Sequence, residues 1–112
     1  MQNLVTLTGK KVMIAGTSYP FTLSWNDYTN NILDLSSQLI PDYPATPDGQ
    51  LNFSKKIRFT IEQNSRGISF CYWGGEYIAF KGTYSTNGSD WENQALFDFN
   101  NTALPALEVF NK

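Results

Sequence analysis

The sequence predicts a mainly β fold with a minority of helix, in which antiparallel strands form a curled sheet or a sandwich. Three observations support this prediction. Apolar and polar residues alternate through most of residues 51–99, as they do in strands with one buried face. Short clusters of Gly, Asn and Ser interrupt the alternation, which is typical of hairpin turns. Only residues 28–39 have the spacing of an amphipathic helix.

The size and composition of the chain favour a single globular domain over residues 1–112. The chain is 41% hydrophobic and 15% aromatic, so it is too rich in apolar groups to be disordered. At 112 residues it is long enough to bury a core without disulfides.

About three short strands are predicted near the amino terminus. They cover residues 4–8, 11–15 and 19–25, and Gly9 and residues 16–18 separate them. We expect them either to continue the curled sheet or to form the second layer of a sandwich.

One amphipathic helix is predicted after these strands. Its apolar residues recur at intervals of four, three and four: Tyr28, Ile32, Leu35 and Leu39. Asn26 or Asp27 would cap this helix and Pro41 would end it. Many of the intervening residues are Thr, Asn and Ser, which are poor helix formers, so packing would have to stabilise the helix.

The second half of the chain predicts a four-stranded antiparallel meander. Its strands cover residues 51–61, 68–73, 77–84 and 91–99, and short turns join them. A three-residue turn, Gly74-Gly75-Glu76, keeps the apolar side chains of its two strands on one face.

This register places four side chains in a row on the outer face of the meander: Lys56, Trp73, Tyr77 and Asp98. Two amphipathic rings between a cation and a carboxylate are typical of a binding patch. The alternative is that the N-terminal strands cover this face and that the rings only stabilise the sheet.

Acidic residues are concentrated in residues 61–112. The whole chain has ten Asp and Glu against eight Lys and Arg, and this segment holds six of the acidic residues and three of the basic ones. The candidate acidic contacts near the rings are Glu76, Asp90, Glu92 and Asp98. They would steer a basic protein partner, or else form a solvated face that maintains solubility.

The residue inventory argues against several functional classes. With no His and one Cys, the chain lacks the ligands of a zinc site built from nitrogen and sulfur, and it lacks Ser-His-Asp and Cys-His catalytic groups. A pI near 4.9 argues against direct nucleic-acid binding. No signal-peptide or membrane-spanning pattern is present. We therefore expect a cytoplasmic protein without cofactor, metal or membrane contact.

Catalysis by carboxylates alone is the one enzymatic mechanism that these residues leave open. Two carboxylates can hydrolyse glycosides without His or a metal. Asp90 with Glu92, and Glu76 with Asp98, are formal pairs, but neither pair lies in a recognisable motif. The sequence therefore predicts a protein that is not an enzyme.

These observations favour a small acidic binding protein, for which three classes of function remain. The first is a stoichiometric inhibitor that neutralises a basic enzyme such as a nuclease toxin. In size, acidity and lack of catalytic groups the chain resembles toxin-neutralising immunity proteins, although it shares only composition with them. The second is a carbohydrate or small-ligand binding module, in which the rings stack on a sugar. The third is a structural subunit of a phage or secretion assembly.

Overall fold

The computed structural model describes residues 2–111, which contain one sheet of two parallel strands. Its elements are, in chain order, the helix α1 (Gln2–Thr8), the strand β1 (Val12–Thr17), a 3-10 turn (Ser36–Gln38), the helix α2 (Pro47–Glu62), the strand β2 (Gly67–Tyr72) and two further 3-10 segments (Glu92–Gln94 and Pro105–Phe110). Val12 lies opposite Gly67, and Thr17 lies opposite Tyr72. The predicted antiparallel, mainly β fold is therefore wrong.

Two of the predicted strands are confirmed in position. The strand β1 overlaps the predicted residues 11–15, and β2 overlaps the predicted residues 68–73. Their partners were predicted wrongly, because β2 pairs with β1 in parallel and not with residues 77–84 in a hairpin.

The parallel pairing determines where the loops lie. Parallel strands need a long crossover, and residues 18–66, which include α2, provide it. Both strands point in the same direction, so residues 18–46 and residues 73–104 leave the sheet at the same end. We call this the carboxyl end of the sheet, and it is the end at which α/β folds bind their ligands.

The helix α2 begins at a clear N-terminal signal. The hydroxyl of Thr46 accepts a hydrogen bond of 3.0 Å from the backbone amide of Gly49, as an N-cap does. Pro47 follows in the first turn, where it needs no hydrogen-bond partner. Asp48 adds a favourable negative charge at the same end of the helix. These signals explain why the strand predicted for residues 51–61 is wrong.

The buried face of α2 is partly polar, which hides its helical period. Gln50, Ser54 and Ile61 are buried at spacings of four and seven residues, which places them on one face of a helix. Phe59, which belongs to the apolar face of the predicted strand, is 52% exposed. The alternation of apolar residues was therefore a coincidence of composition.

Residues 28–39 do not form the predicted helix. They are irregular apart from the 3-10 turn at Ser36–Gln38. Polar side chains hold the backbone in other conformations: Asp27 accepts a hydrogen bond from the amide of Thr29 at 2.7 Å, and Gln38 accepts one from the amide of Leu35 at 2.9 Å. Such local bonds compete with helix formation.

Four other predicted strands are also wrong. Residues 4–8 belong to α1, and residues 19–25 and 77–84 contain no strand. Residues 91–99 contain a 3-10 segment and a single bridge between Phe97 and Ala103.

The C-terminal 3-10 segment packs on α2 and closes one side of the molecule. Ala106 and Val109 of this segment are buried, as is Ile61 of α2. The guanidinium of Arg58 donates hydrogen bonds of 2.8 Å to the carbonyl oxygens of Val109 and Asn111. A charged donor thus pairs with two carbonyl groups at the end of this 3-10 segment.

Candidate functional site

Three aromatic rings meet at the carboxyl end of the sheet. Trp73 follows the last residue of β2, and its ring lies 5.1 Å from that of Tyr77 and 4.4 Å from that of Trp91, between ring centroids. The exposed fractions of Trp73 and Tyr77 are 43% and 42%. We call these three residues the aromatic cluster. They form an amphipathic surface that is open to solvent.

A glycine turn brings the first two rings together. The amide of Trp73 donates to the carbonyl oxygen of Thr17 at 2.8 Å, so the strand pairing continues into the cluster. Gly74 then adopts a φ of +72°, a conformation that glycine accepts without strain. The amide of Tyr77 donates to the carbonyl oxygen of Gly74 at 3.0 Å and closes the turn.

The hydroxyl of Tyr72 anchors the base of the cluster. It donates to the carbonyl oxygen of Gln94 at 2.8 Å and accepts from the amide of Tyr19 at 3.1 Å. Burial raises the pKa of Tyr72 to about 12, because the phenolate would lose its hydration. The residue therefore remains a neutral hydrogen-bonding group under physiological conditions.

Gln50 lies beneath the same region and is fully buried. Its Nε2 group donates to the carbonyl oxygens of Tyr19 and Ala95, each at 2.9 Å, and lies 3.1 Å from the Tyr72 hydroxyl. A side chain of α2 thus connects the loop after β1 to the chain after β2.

Glu92 is buried and joins the two loops at the carboxyl end. One of its carboxylate oxygens accepts a hydrogen bond of 2.5 Å from the amide of Asn26. Burial raises the pKa of Glu92; the hydrogen bond from Asn26 opposes this shift, and the nearby Asp27 carboxylate adds to it. With no exposed surface, this carboxyl group acts as a structural link between loops.

The next two residues repeat this linking role. Asn93 donates to the carbonyl oxygens of Thr22 and Leu33, at 2.9 and 2.6 Å. Gln94 accepts a hydrogen bond of 2.8 Å from the hydroxyl of Ser18. The segment after Trp91 is therefore held in place by buried polar side chains.

The structure brings Trp73 and Tyr77 together, as the sequence predicted, but the predicted row of four side chains does not exist. That row depended on antiparallel pairing, which is absent from residues 2–111 apart from the bridge at Phe97. Lys56 lies on α2, with its ammonium group 5.6 Å from the ring centroid of Phe59.

The predicted acidic contacts also occupy different environments. Glu76 and Asp90 are exposed, whereas Glu92 is buried. Asp98 accepts hydrogen bonds from the amides of Asn100 and Thr102, at 2.8 and 2.9 Å, and so shapes a turn. That these carboxylates belong to a binding site stays a prediction.

Sequence reasoning missed Trp91 as a member of the cluster. It was assigned to the apolar face of a strand, whereas its ring packs against Trp73. The signal that could have identified it is the polar run that follows, Glu92-Asn93-Gln94, which interrupts any strand-like alternation.

Among residues 2–111, no three His, Cys, Asp or Glu side chains lie close enough to hold a metal ion. Within the same residues, no helix is long and apolar enough to cross a bilayer. The cytoplasmic location and the single-domain organisation stay predictions.

Comparison with known proteins identifies the family. Residues 1–110 match glycosyl hydrolase family 53. The chain belongs to this family. It is 35% identical over 104 residues to an arabinogalactan endo-beta-1,4-galactanase of Cellvibrio japonicus, covering 90% of this chain and 27% of that protein. It is 31% identical over 134 residues to an endo-beta-1,4-galactanase of Bacillus subtilis, covering 91% of this chain and 31% of that protein.

Solved structures are also similar to this chain. The catalytic domain of a family 53 enzyme from Ignisphaera aggregans superposes with a TM-score of 0.84 at 35% identity, covering 96% of this chain and 31% of that one. A fungal beta-1,4-galactanase structure gives a TM-score of 0.65 at 23% identity, with 96% and 30% covered, and this likeness concerns the fold alone. The parallel strands and helices therefore correspond to part of a TIM-barrel-like fold. The chain spans about a third of the length of the relatives it matches.

The family corrects the functional predictions. The predicted inhibitor of a nuclease toxin, its basic protein partner and its non-enzymatic character are wrong, because the relatives are glycosyl hydrolases. The inhibitor prediction rested on acidity and on the lack of a catalytic motif. Neither property distinguishes an inhibitor from a segment of a carbohydrate-active enzyme.

Proposed function

We propose that this chain provides a sugar-binding surface in a glycoside hydrolase that acts on β-1,4-linked galactan. The aromatic cluster is the observation that carries this proposal. It lies at the carboxyl end of two parallel strands, the face at which TIM-barrel enzymes bind their substrates. The named relatives of this chain are endo-beta-1,4-galactanases, which supports galactan as the polysaccharide.

The chemistry of the cluster suits a galactose residue. One face of a β-galactose ring carries several C–H groups and is apolar, so it can stack on an aromatic ring. Trp73 and Tyr77 are each about two-fifths exposed and therefore have ring surface available for such contacts. Glu76 lies between them in the sequence and is exposed. Its carboxylate is therefore available to accept hydrogen bonds from sugar hydroxyls.

We assign sugar positioning to this chain and not the transfer of protons. A glycosidase needs two carboxyl groups on opposite sides of the bond that is cleaved. The carboxyl groups of Glu92 and Asp27 are buried, and both accept hydrogen bonds from loop backbone. Their environment supports a role in holding the loops at the carboxyl end.

A titration with β-1,4-galacto-oligosaccharides, followed by Trp fluorescence, tests this proposal. We expect the emission to shift to shorter wavelength on binding, because the sugar excludes water from the rings. Trp73→Ala should weaken binding at least about tenfold, which corresponds to about 1.4 kcal/mol.

The chain provides a matched control for this substitution. Trp25 has an exposed fraction of 42%, almost equal to the 43% of Trp73, but it lies outside the aromatic cluster. Trp25→Ala should leave the affinity unchanged. Equal losses for Trp25→Ala and Trp73→Ala, or the absence of binding to any galacto-oligosaccharide, would contradict the proposal.

A further inference from the structure

We propose that Gln50 is a positioning residue that fixes the geometry of the aromatic cluster from beneath. Its amide group, together with the hydroxyl of Tyr72, holds the two segments that carry Trp73 and Trp91 at a defined distance and angle. The consequence for sugar affinity rests on the proposed function, whereas the consequence for ring geometry does not.

The amide group of Gln50 reaches several segments of the chain at once. Gln50 comes from the first turn of α2, donates to Tyr19 in the loop after β1, and donates to Ala95 in the segment after Trp91. Its Nε2 group also lies 3.1 Å from the hydroxyl of Tyr72, the last residue of β2. One fully buried side chain therefore connects a helix, a strand and two loops.

The path from these contacts to the rings of Trp73 and Trp91 is short. Tyr72 directly precedes Trp73, so the position of its hydroxyl sets the start of the first ring-bearing segment. The same hydroxyl donates to the carbonyl oxygen of Gln94 at 2.8 Å. The amide of Gln94 in turn donates to the carbonyl oxygen of Trp91 at 2.8 Å. We call the amide group of Gln50 and the hydroxyl of Tyr72 the clamp. Few rotatable bonds separate this clamp from either indole ring.

A second backbone link supports this arrangement. The amide of Leu96, next to Ala95, donates to the carbonyl oxygen of Gly75 at 2.8 Å. The segment that Gln50 holds at Ala95 thus also reaches the turn between Trp73 and Tyr77. Loss of the amide group would free Ala95 and alter both ends of the cluster together.

The same helix provides a matched control. Ser54 lies one turn after Gln50, is buried to the same degree, and its hydroxyl oxygen has no hydrogen-bond partner in the described structure. Ser54→Ala therefore removes a buried polar atom from the same helix face without breaking a contact to either loop. Any effect that Gln50→Leu has and Ser54→Ala lacks comes from the clamp.

The test measures ring geometry and sugar affinity separately. In a Trp25→Phe background, near-ultraviolet circular dichroism of the folded chain at wavelengths beyond the tyrosine bands reports the coupled indoles of Trp73 and Trp91. We expect Gln50→Leu to lower this signal at least about twofold and to weaken binding of galacto-oligosaccharides about tenfold, with the far-ultraviolet spectrum unchanged. Ser54→Ala should retain both properties.

Tyr72→Phe provides a second variant that removes only the hydroxyl. If both residues act through one clamp, the double variant with Gln50→Leu should lose no more signal than the more severe single variant. If Gln50→Leu does not fold, the near-isosteric Gln50→Met, which also lacks the amide group, takes its place in the same measurements.

The outcomes distinguish this inference from the proposed function. An unchanged near-ultraviolet signal in the clamp variants would overturn the positioning role, even if the parent chain binds sugar. A lowered signal in a chain that binds no galacto-oligosaccharide would support the positioning role and overturn the proposed function.

Discussion

Removal of the Tyr72 hydroxyl should destabilise the protein far more than removal of an exposed tyrosine hydroxyl. The hydroxyl donates to the carbonyl oxygen of Gln94, accepts from the amide of Tyr19 and lies within reach of Gln50. Each hydrogen bond contributes about 1 kcal/mol net, and a buried group left without a partner costs about 1–3 kcal/mol. We therefore expect Tyr72→Phe to lower the free energy of unfolding by about 3 kcal/mol.

Urea unfolding followed by far-ultraviolet circular dichroism measures this change. With a slope of about 1.5 kcal/mol per molar urea, the midpoint should fall by about 2 M. Tyr84→Phe is the matched control, since the side chain of Tyr84 is 79% exposed, and it should change the stability by less than about 0.5 kcal/mol. If Tyr72→Phe and Tyr84→Phe had equal effects, the anchoring role of Tyr72 would be refuted.

Three further predictions concern pH and backbone conformation. Burial raises the pKa of Tyr72 from 10.0 to about 12, so its neutral form stabilises the folded state below pH 10. About 3 kcal/mol of this stability should be lost as the pH rises to 12. The alkaline unfolding of Tyr72→Phe should lack this loss. The pKa of Glu92 is also raised, so the wild-type protein loses stability as the pH rises above the ordinary value of 4.5. Glu92→Gln should therefore be more stable than wild type at pH 7 but equal to it in acid. If the variant is less stable than wild type at pH 7, the negative charge of Glu92 is required for stability and the prediction is wrong. Gly74→Ala should lower the free energy of unfolding by at least about 1 kcal/mol, because Gly74 has a positive φ. Gly16→Ala should be tolerated, because a Cβ there meets its nearest atom at 3.9 Å. Equal thermal midpoints for the two variants would contradict this prediction.

The sequence allowed correct prediction of the features that depend on local chemistry. The alternation around β1 and β2 located both strands of the sheet. The turn residues Gly74-Gly75-Glu76 indicated that Trp73 and Tyr77 approach each other, and their ring centroids are 5.1 Å apart. These features require only neighbouring residues, so a single sequence contains enough information to predict them.

The remaining fold could not be predicted because much of its interior is polar. Gln50, Glu92, Asn93 and Gln94 are all at most 1% exposed, although residues of these types are usually on the surface. Hydrophobic alternation therefore predicted strands over residues 51–61 and 91–99, where the structure has α2 and a 3-10 segment. The parallel pairing could not be predicted from the sequence either, because it joins strands that are about fifty residues apart.

The candidate site was predicted in part, and its function was not. The sequence brought Trp73 and Tyr77 together, and their role in binding stays a prediction. The acidity of the chain favoured a protein partner over the alternative of a sugar ligand. The family assignment rests on similarity along residues 1–110 and not on any short motif in the sequence. Trp91 joined the cluster only when the structure showed its contact with Trp73.

The most direct test of sugar binding at the aromatic cluster is an NMR titration of the three indole N–H signals with β-1,4-galactotriose. The chain has three Trp residues, so each signal can be assigned by a single substitution. We predict that the signals of Trp73 and Trp91 move in a saturable manner while that of Trp25 stays in place. Equal movement of all three signals, or movement of Trp25 alone, would contradict the account.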